Sequence, residues 1–181
     1  LCDACGLGEY SSTGAVGCLV CASGQADDDM NASTACIGCG VGEYSGAGWT
    51  NCSSCAAGRA DLDSDASTLC DACSSGHYAG VGASVCTPCA AGRYSVAGDG
   101  QFIASVCDNK CVAGKYSNEL ARTSENQCKD CAAGLYSSVL GLSSEIYNIA
   151  GRYCKLCPAG YYSSSKGQVS ITVCKACDAG Y

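Results

Sequence analysis

Cys36-Ile37-Gly38-Cys39-Gly40-Val41-Gly42-Glu43-Tyr44-Ser45 holds the unit that the rest of the chain repeats. Two cysteines stand three positions apart, a glycine follows three after the second, and a tyrosine two after that. The cysteine pairs are Cys2/Cys5, Cys18/Cys21, Cys36/Cys39, Cys52/Cys55, Cys70/Cys73, Cys86/Cys89, Cys107/Cys111, Cys128/Cys131, Cys154/Cys157 and Cys174/Cys177. The glycine follows every pair, from Gly8 to Gly180. The tyrosine returns at Tyr10, Tyr44, Tyr78, Tyr94, Tyr116, Tyr136 and Tyr162, with Ala26 and Ala60 in its place in two units. Recurrence of this kind specifies a repeat architecture and says much less about a ligand.

Composition points the same way. Leu, Val, Ile and Phe together make 27 of 181 residues, too few to bury the apolar surface that offsets chain entropy. Twenty cysteines supply the missing cohesion. A cysteine-dense chain with a poor core reads as a disulfide scaffold. Each bridge closing a loop of about a dozen residues contributes roughly 3 kcal/mol by loop-closure entropy. So many bridges need an oxidising compartment, and the expected localisation is extracellular or cell surface. No apolar run reaches the length that spans a bilayer, so a membrane is reached only through segments outside this sequence. Both ends fall inside a repeat, and the chain reads as a truncated window on a longer array.

The spacers between successive pairs hold 12, 14, 12, 14 and 12 residues as far as Cys86, then 17, 16, 22 and 16. The expected fold is a small disulfide-rich repeat protein, an elongated tandem array of short β-hairpin and loop modules with little regular secondary structure. Its modules are 1–35 and 36–69, each with an acidic loop, then 70–106, 107–153 with a long insert, and 154–181. The short loops read as hairpins turning near Gly14, Gly48 and Gly82, where glycine supplies the positive-φ option. The tyrosine is expected to lay its ring over a neighbouring bridge with its hydroxyl in water. The segment Val169-Ser170-Ile171-Thr172-Val173 alternates apolar and polar, as a half-buried strand does.

Three chemistries compete for the cysteines: structural disulfides, zinc held by two neighbouring pairs, and a redox-active pair. Ten near-equivalent pairs argue against a special redox pair. The Gly/Ser/Ala-rich, secreted character argues against reduced thiolates holding zinc. Connectivity is open between two local schemes. First-to-first and second-to-second pairing, as in Cys2–Cys18 with Cys5–Cys21, uses all twenty and is preferred. The rival joins Cys5–Cys18 and Cys21–Cys36, leaving Cys2 and Cys177 over.

Further sites are legible. Asn31-Ala32-Ser33 and Asn51-Cys52-Ser53 are glycosylation acceptors. The acidic loops place Asp27, Asp29 and Asn31, and Asp61, Asp63 and Asp65, at every second position, as calcium loops begin. No glutamate stands at the twelfth position, so the choice lies between weak calcium and a solvated acidic turn. No cofactor is required. The sole histidine, His77, occupies a slot also filled by Glu9, Arg59, Leu135 and Tyr161, and a slot this tolerant reads as solvent-facing. No catalytic set is visible, and the chain reads as a non-enzyme. Residues 1–90 carry a net charge of −9 and residues 91–181 a net of +2. An acidic chain with no basic stripe is a poor nucleic-acid binder.

The run Cys154-Lys155-Leu156-Cys157-Pro158-Ala159-Gly160-Tyr161-Tyr162-Ser163 resembles the ephrin-receptor-like cysteine-rich repeat, similar to modules of TNF-receptor-like and EGF-like ectodomains. So does the Asp-x-Asp-x-(Asp/Asn)-Ala-Ser-Thr loop. The resemblance implies an extracellular, elongated, disulfide-stapled architecture and names no ligand. The expected function is a structural subunit of an extracellular fibre, hair or matrix layer. In it, glycosylated copies assemble head-to-tail or staggered. The alternative is the ligand-binding or adhesive ectodomain stalk of a surface receptor or antigen. Opposite charge at the two ends would guide assembly. Phe102, Ile103, Leu140, Leu142, Ile146, Ile149, Val169, Ile171 and Val173 are the expected contacts, unless they fill a larger local core. Trp49 fits either exposed contact surface or packing on a bridge.

Overall fold

The computed structural model describes residues 4–101, 103–145 and 153–179. Among them are nine two-stranded antiparallel sheets, every strand two residues long. In each sheet the motif tyrosine, or the alanine that replaces it, and the residue before it pair with the two residues that precede the second cysteine of the next pair. Glu9 faces Val20 and Tyr10 faces Leu19; Glu43 faces Ser54 and Tyr44 faces Ser53; Tyr161 faces Ala176 and Tyr162 faces Lys175. A turn precedes each first strand. At Gly40–Glu43 the amide of Glu43 donates to the Gly40 carbonyl at 3.1 Å, and Gly42 holds φ 78°, which glycine adopts without steric cost.

Nine disulfides staple the hairpins: Cys5–Cys18, Cys21–Cys36, Cys39–Cys52, Cys55–Cys70, Cys73–Cys86, Cys89–Cys107, Cys111–Cys128, Cys131–Cys154 and Cys157–Cys174. The second cysteine of one pair joins the first of the next. This corrects the preferred first-to-first scheme. The physical reason is strand parity. Eight of the described pairs flank a two-residue strand, so their cysteines are three positions apart on extended backbone and point to opposite faces. Cys18 therefore turns back to Cys5 while Cys21 turns forward to Cys36, and both cannot serve the same neighbour. In Cys107/Cys111 the extra residue is Asp108, which stands between the 3-10 turn Ala104–Cys107 and the strand Asn109–Lys110. Among the described residues Cys177 alone has no bridge partner, and Cys2 lies outside them.

Long-range backbone bonds add a second layer. The loop amides of Gly48 and Gly82 donate to the carbonyls of Cys21 and Cys55, each at 2.8 Å. Farther along, those of Ala121, Gly141 and Gly167 donate to Cys89, Cys111 and Cys131 at 2.8–2.9 Å. Contacts group the chain into two compact units. One comprises Leu1–Cys73, Ala79–Cys86 and Gly100–Ile103; the other Ser74–Tyr78, Thr87–Asp99 and Ala104–Tyr181.

The interior is made of sulfur and small side chains. Cys21, Cys55, Cys73, Cys89, Cys111 and Cys131 are fully buried. In most modules the residue after the tyrosine is buried too: Ser45, Ser95, Ser117, Ser137 and Ala79 are at most 2% exposed, Ser163 is 9% exposed, and Asp27 and Asp61 take the place in the two acidic modules, while Ser11 is half-buried. In the first unit Ala60, Cys73 and Ala79 form a cluster with Ala83 and Cys86. In the second, Leu135 and Leu142 pack with Cys131 and Cys154 beside Tyr116.

Two expectations are corrected by this packing. Residues 169–173 do not form a strand: Ser170 caps a 3-10 turn over Ile171–Val173, its Oγ accepting from the Thr172 amide at 3.2 Å. A local side-chain cap competes successfully with extended backbone here. Leu142 is no assembly contact, because it is 0% exposed inside its own chain. Leu142→Ala is expected to cost about 2–5 kcal/mol by denaturant titration under oxidising conditions. Leu140, 54% exposed, can be truncated with almost no loss.

Candidate functional site

The acidic loops are built from within. Asp27 and Asp61 are each 5% exposed, and their Oδ2 atoms accept from the amides of Gly8 and Gly42 at 3.1 Å. Asp29 accepts from the Asn31 amide at 3.0 Å and the Thr34 hydroxyl at 2.9 Å. Asp63 does the same for Asp65 and Thr68, each at 3.0 Å. Asn31 and Asp65 take the same place in the two loops, each accepting from a serine amide and hydroxyl two residues on. Each calcium-ligand candidate is thus engaged by chain donors. Among the described residues no group of three His, Cys, Asp or Glu is arranged to hold a metal.

These bonds favour the ionised acids. The Asp65 amide and the Thr68 hydroxyl hold the Asp63 carboxyl below its usual 3.8. The Ser67 hydroxyl and amide do the same for Asp65. A carboxyl depressed in the folded state stabilises fully above its unfolded pKa and loses that contribution as pH falls through the folded value. The loop at 61–68 is therefore expected to loosen below about pH 4. Amide exchange at Asp65, Ser67 and Thr68 should accelerate, relative to its intrinsic rate, before that of the bridged strands. Unchanged protection at pH 2 would refute this.

Tyr10, Tyr44, Tyr78, Tyr94, Tyr116 and Tyr136 are half-buried and Tyr162 is exposed. Tyr78 lines one cleft with Cys89 and Cys107 of a bridge, and Tyr44 lines another with Arg59 and Cys70. Tyr44 also lies 5.8 Å from the Trp49 ring at a tilt of 52°. Burial, then the charge and hydrogen bond of Glu145, push the Tyr116 phenol up.

His77 is half-buried and its Nδ1 lies 3.3 Å from the Ser74 hydroxyl. Its slot does not always face solvent, since Leu135 stands there in the core. Asn31 and Asn51 are both exposed. Of the assembly candidates, Ile103, Leu140, Val169 and Ile171 are 47–54% exposed. Val173 is half-buried, and Phe102, Ile146 and Ile149 lie outside the described residues.

What the motif reading missed is the small residue after each tyrosine. Its signal was present, because serine follows six of the seven motif tyrosines. A second missed feature is an ion cluster in the loop 117–129. Glu119 pairs with Arg122 and with Lys129, the latter at 3.1 Å. Among the described residues no helix is long and apolar enough to cross a membrane. Nine bridges call for an oxidising environment, and the chain is a tandem series of cysteine-rich, disulfide-bonded hairpin modules. Compared with protein-family models and with curated proteins, it matches none.

Proposed function

We propose that the chain is a structural subunit of an extracellular fibre, hair or matrix layer. The observation that carries this reading is the regularity of the surface. Nine successive hairpins share one staple and one turn, so the same outer strand recurs along the whole chain. The likeness to ephrin-receptor-like repeats supports the extracellular setting, as do exposed acceptors at Asn31 and Asn51 for N-linked sugar. Copies associate head-to-tail or staggered, the segment of net −9 against the segment of net +2, with Ile103, Leu140, Val169 and Ile171 in the contact. Electron microscopy and sedimentation of the oxidised protein test this. Filaments at low salt, which dissolve as salt screens the attraction and fail to form with Leu140→Ser plus Ile171→Ser, are the expected result. Dispersed monomers at every salt concentration would favour the stalk of a surface receptor instead, a reading supported by the clefts beside Tyr44 and Tyr78.

A further inference from the structure

The loops 116–129 and 162–175 are the same loop twice. Both lie in the second unit, both are closed by bridges of sequence separation 17, and both carry a serine-capped 3-10 turn, Glu125–Gln127 in one and Ile171–Val173 in the other. Each also ends on a lysine that faces the motif tyrosine across the sheet, Tyr116 opposite Lys129 and Tyr162 opposite Lys175. The correspondence is residue for residue, so Asn118, Glu119, Arg122 and Lys129 match Ser164, Ser165, Gln168 and Lys175.

The two loops differ in one chemical respect. In the first, the Glu119 carboxylate sits between Arg122 and Lys129, and Lys129 also reaches the Asn118 carbonyl oxygen at 3.5 Å. In the second, the glutamate is Ser165 and the arginine is Gln168, while the lysine is retained. This second loop holds a cavity of about 290 Å³ lined by Ser163, Ser164, Ser165, Gln168, Thr172, Val173 and Lys175. Among the described residues no acidic side chain lines it, and Lys175 enters no ion pair.

We infer that this cavity binds a carboxylate-bearing sugar, a uronic acid residue, with its carboxylate where Glu119 stands in the sister loop. The Lys175 ammonium supplies the charge-assisted bond. The Ser163 and Thr172 hydroxyls and the Gln168 amide each donate within the loop, to the Ser165 carbonyl, the Ser170 hydroxyl and the Lys166 carbonyl, and offer their oxygens as acceptors, while the Ser164 and Ser165 hydroxyls can donate or accept toward a sugar's hydroxyls. Tyr162, 49% exposed, pairs with Lys175 across the sheet, which sets an aromatic side chain beside the lysine. The choice of a sugar as the carrier of the carboxylate rests on the extracellular reading above.

The test is a titration of the oxidised full chain with galacturonate, followed by amide and side-chain NMR shifts. Saturable shifts confined to residues 162–175, absent from 116–129, are expected. Galactose and acetate should each bind at least about tenfold more weakly, because each lacks half of the recognition. Lys175→Gln should weaken galacturonate by about tenfold or more. Ser165→Glu should abolish binding while preserving the fold, since it builds the sister loop's internal carboxylate into the site.

No saturable shift up to about 50 mM, or equal binding by both variants, would overturn the assignment. Acetate binding as tightly as galacturonate would overturn the sugar class and reassign the cavity to any carboxylate, including an acidic side chain of a second copy. The outcome is separable from the filament experiment. A chain that forms filaments but ignores galacturonate fails only here, and one that binds it yet stays monomeric fails only there.

Discussion

Reduction of the nine bridges should unfold the chain completely at room temperature, without denaturant. Their loops span sequence separations of 13 to 23, and each is worth roughly 3 kcal/mol by loop-closure entropy. The sum exceeds the whole net stability of an ordinary domain, about 5–15 kcal/mol. Packing cannot compensate, since the fully buried side chains among the described residues are cysteines, serines, two alanines and Leu142. Collapse of NMR dispersion on adding dithiothreitol is the expected readout, with recovery on reoxidation. Native dispersion persisting after all thiols are alkylated would show that packing carries the fold. Removing one buried bridge alone, as in Cys55→Ala with Cys70→Ala, should cost about 3 kcal/mol and loosen that hairpin first.

The second large effect is expected from one methyl group. Gly42 holds φ 78°, and a Cβ placed on it would lie 2.7 Å from the carbonyl carbon of Gly82, and closer still to that carbonyl's oxygen. Both partners are backbone, so no side chain can swing aside. Gly42→Ala therefore adds a steric collision to the left-handed penalty of about 1–2 kcal/mol, and a total loss of about 4 kcal/mol or more is expected. Gly134 is the control. It holds φ 83°, yet among the described residues nothing lies within 4 Å of where a methyl group would sit. Gly134→Ala should lose only about 1–2 kcal/mol. Denaturant midpoints of the two oxidised variants give the comparison, and equal losses would mean that the contact at Gly82 does not matter.

The hairpins, their turns and the dominance of bridges over core were legible because they rest on local spacing. Pairing of the bridges was not, although it follows from strand parity once the two residues inside each pair are known to be a strand. The motif glycine was legible as a turn residue but not as a contact, because its neighbour at Gly82 is forty positions away from Gly42. The acidic loops show a different limit, in that the part the carboxylates play in the fold was not legible. Alternating carboxylates suggest ligation of a cation, while in the structure Asp27 and Asp61 accept from buried glycine amides, taking the position that serine or alanine holds elsewhere. The cavity at Lys175 could be seen only by setting one loop against its twin.

Among the described residues the bridges follow one another along the chain and none nests within another. A peptide bond cut anywhere between Cys21 and Cys36, or within any other closed loop, leaves both fragments tethered by sulfur. Severance needs a cut inside one of the seams between bridges, such as Leu19–Val20 or Ser53–Ser54, and those residues are paired in a sheet. Loops are where proteases cut. A protease would thus nick this chain many times before dividing it, and the molecule would stay in one covalent piece while its backbone was already cut.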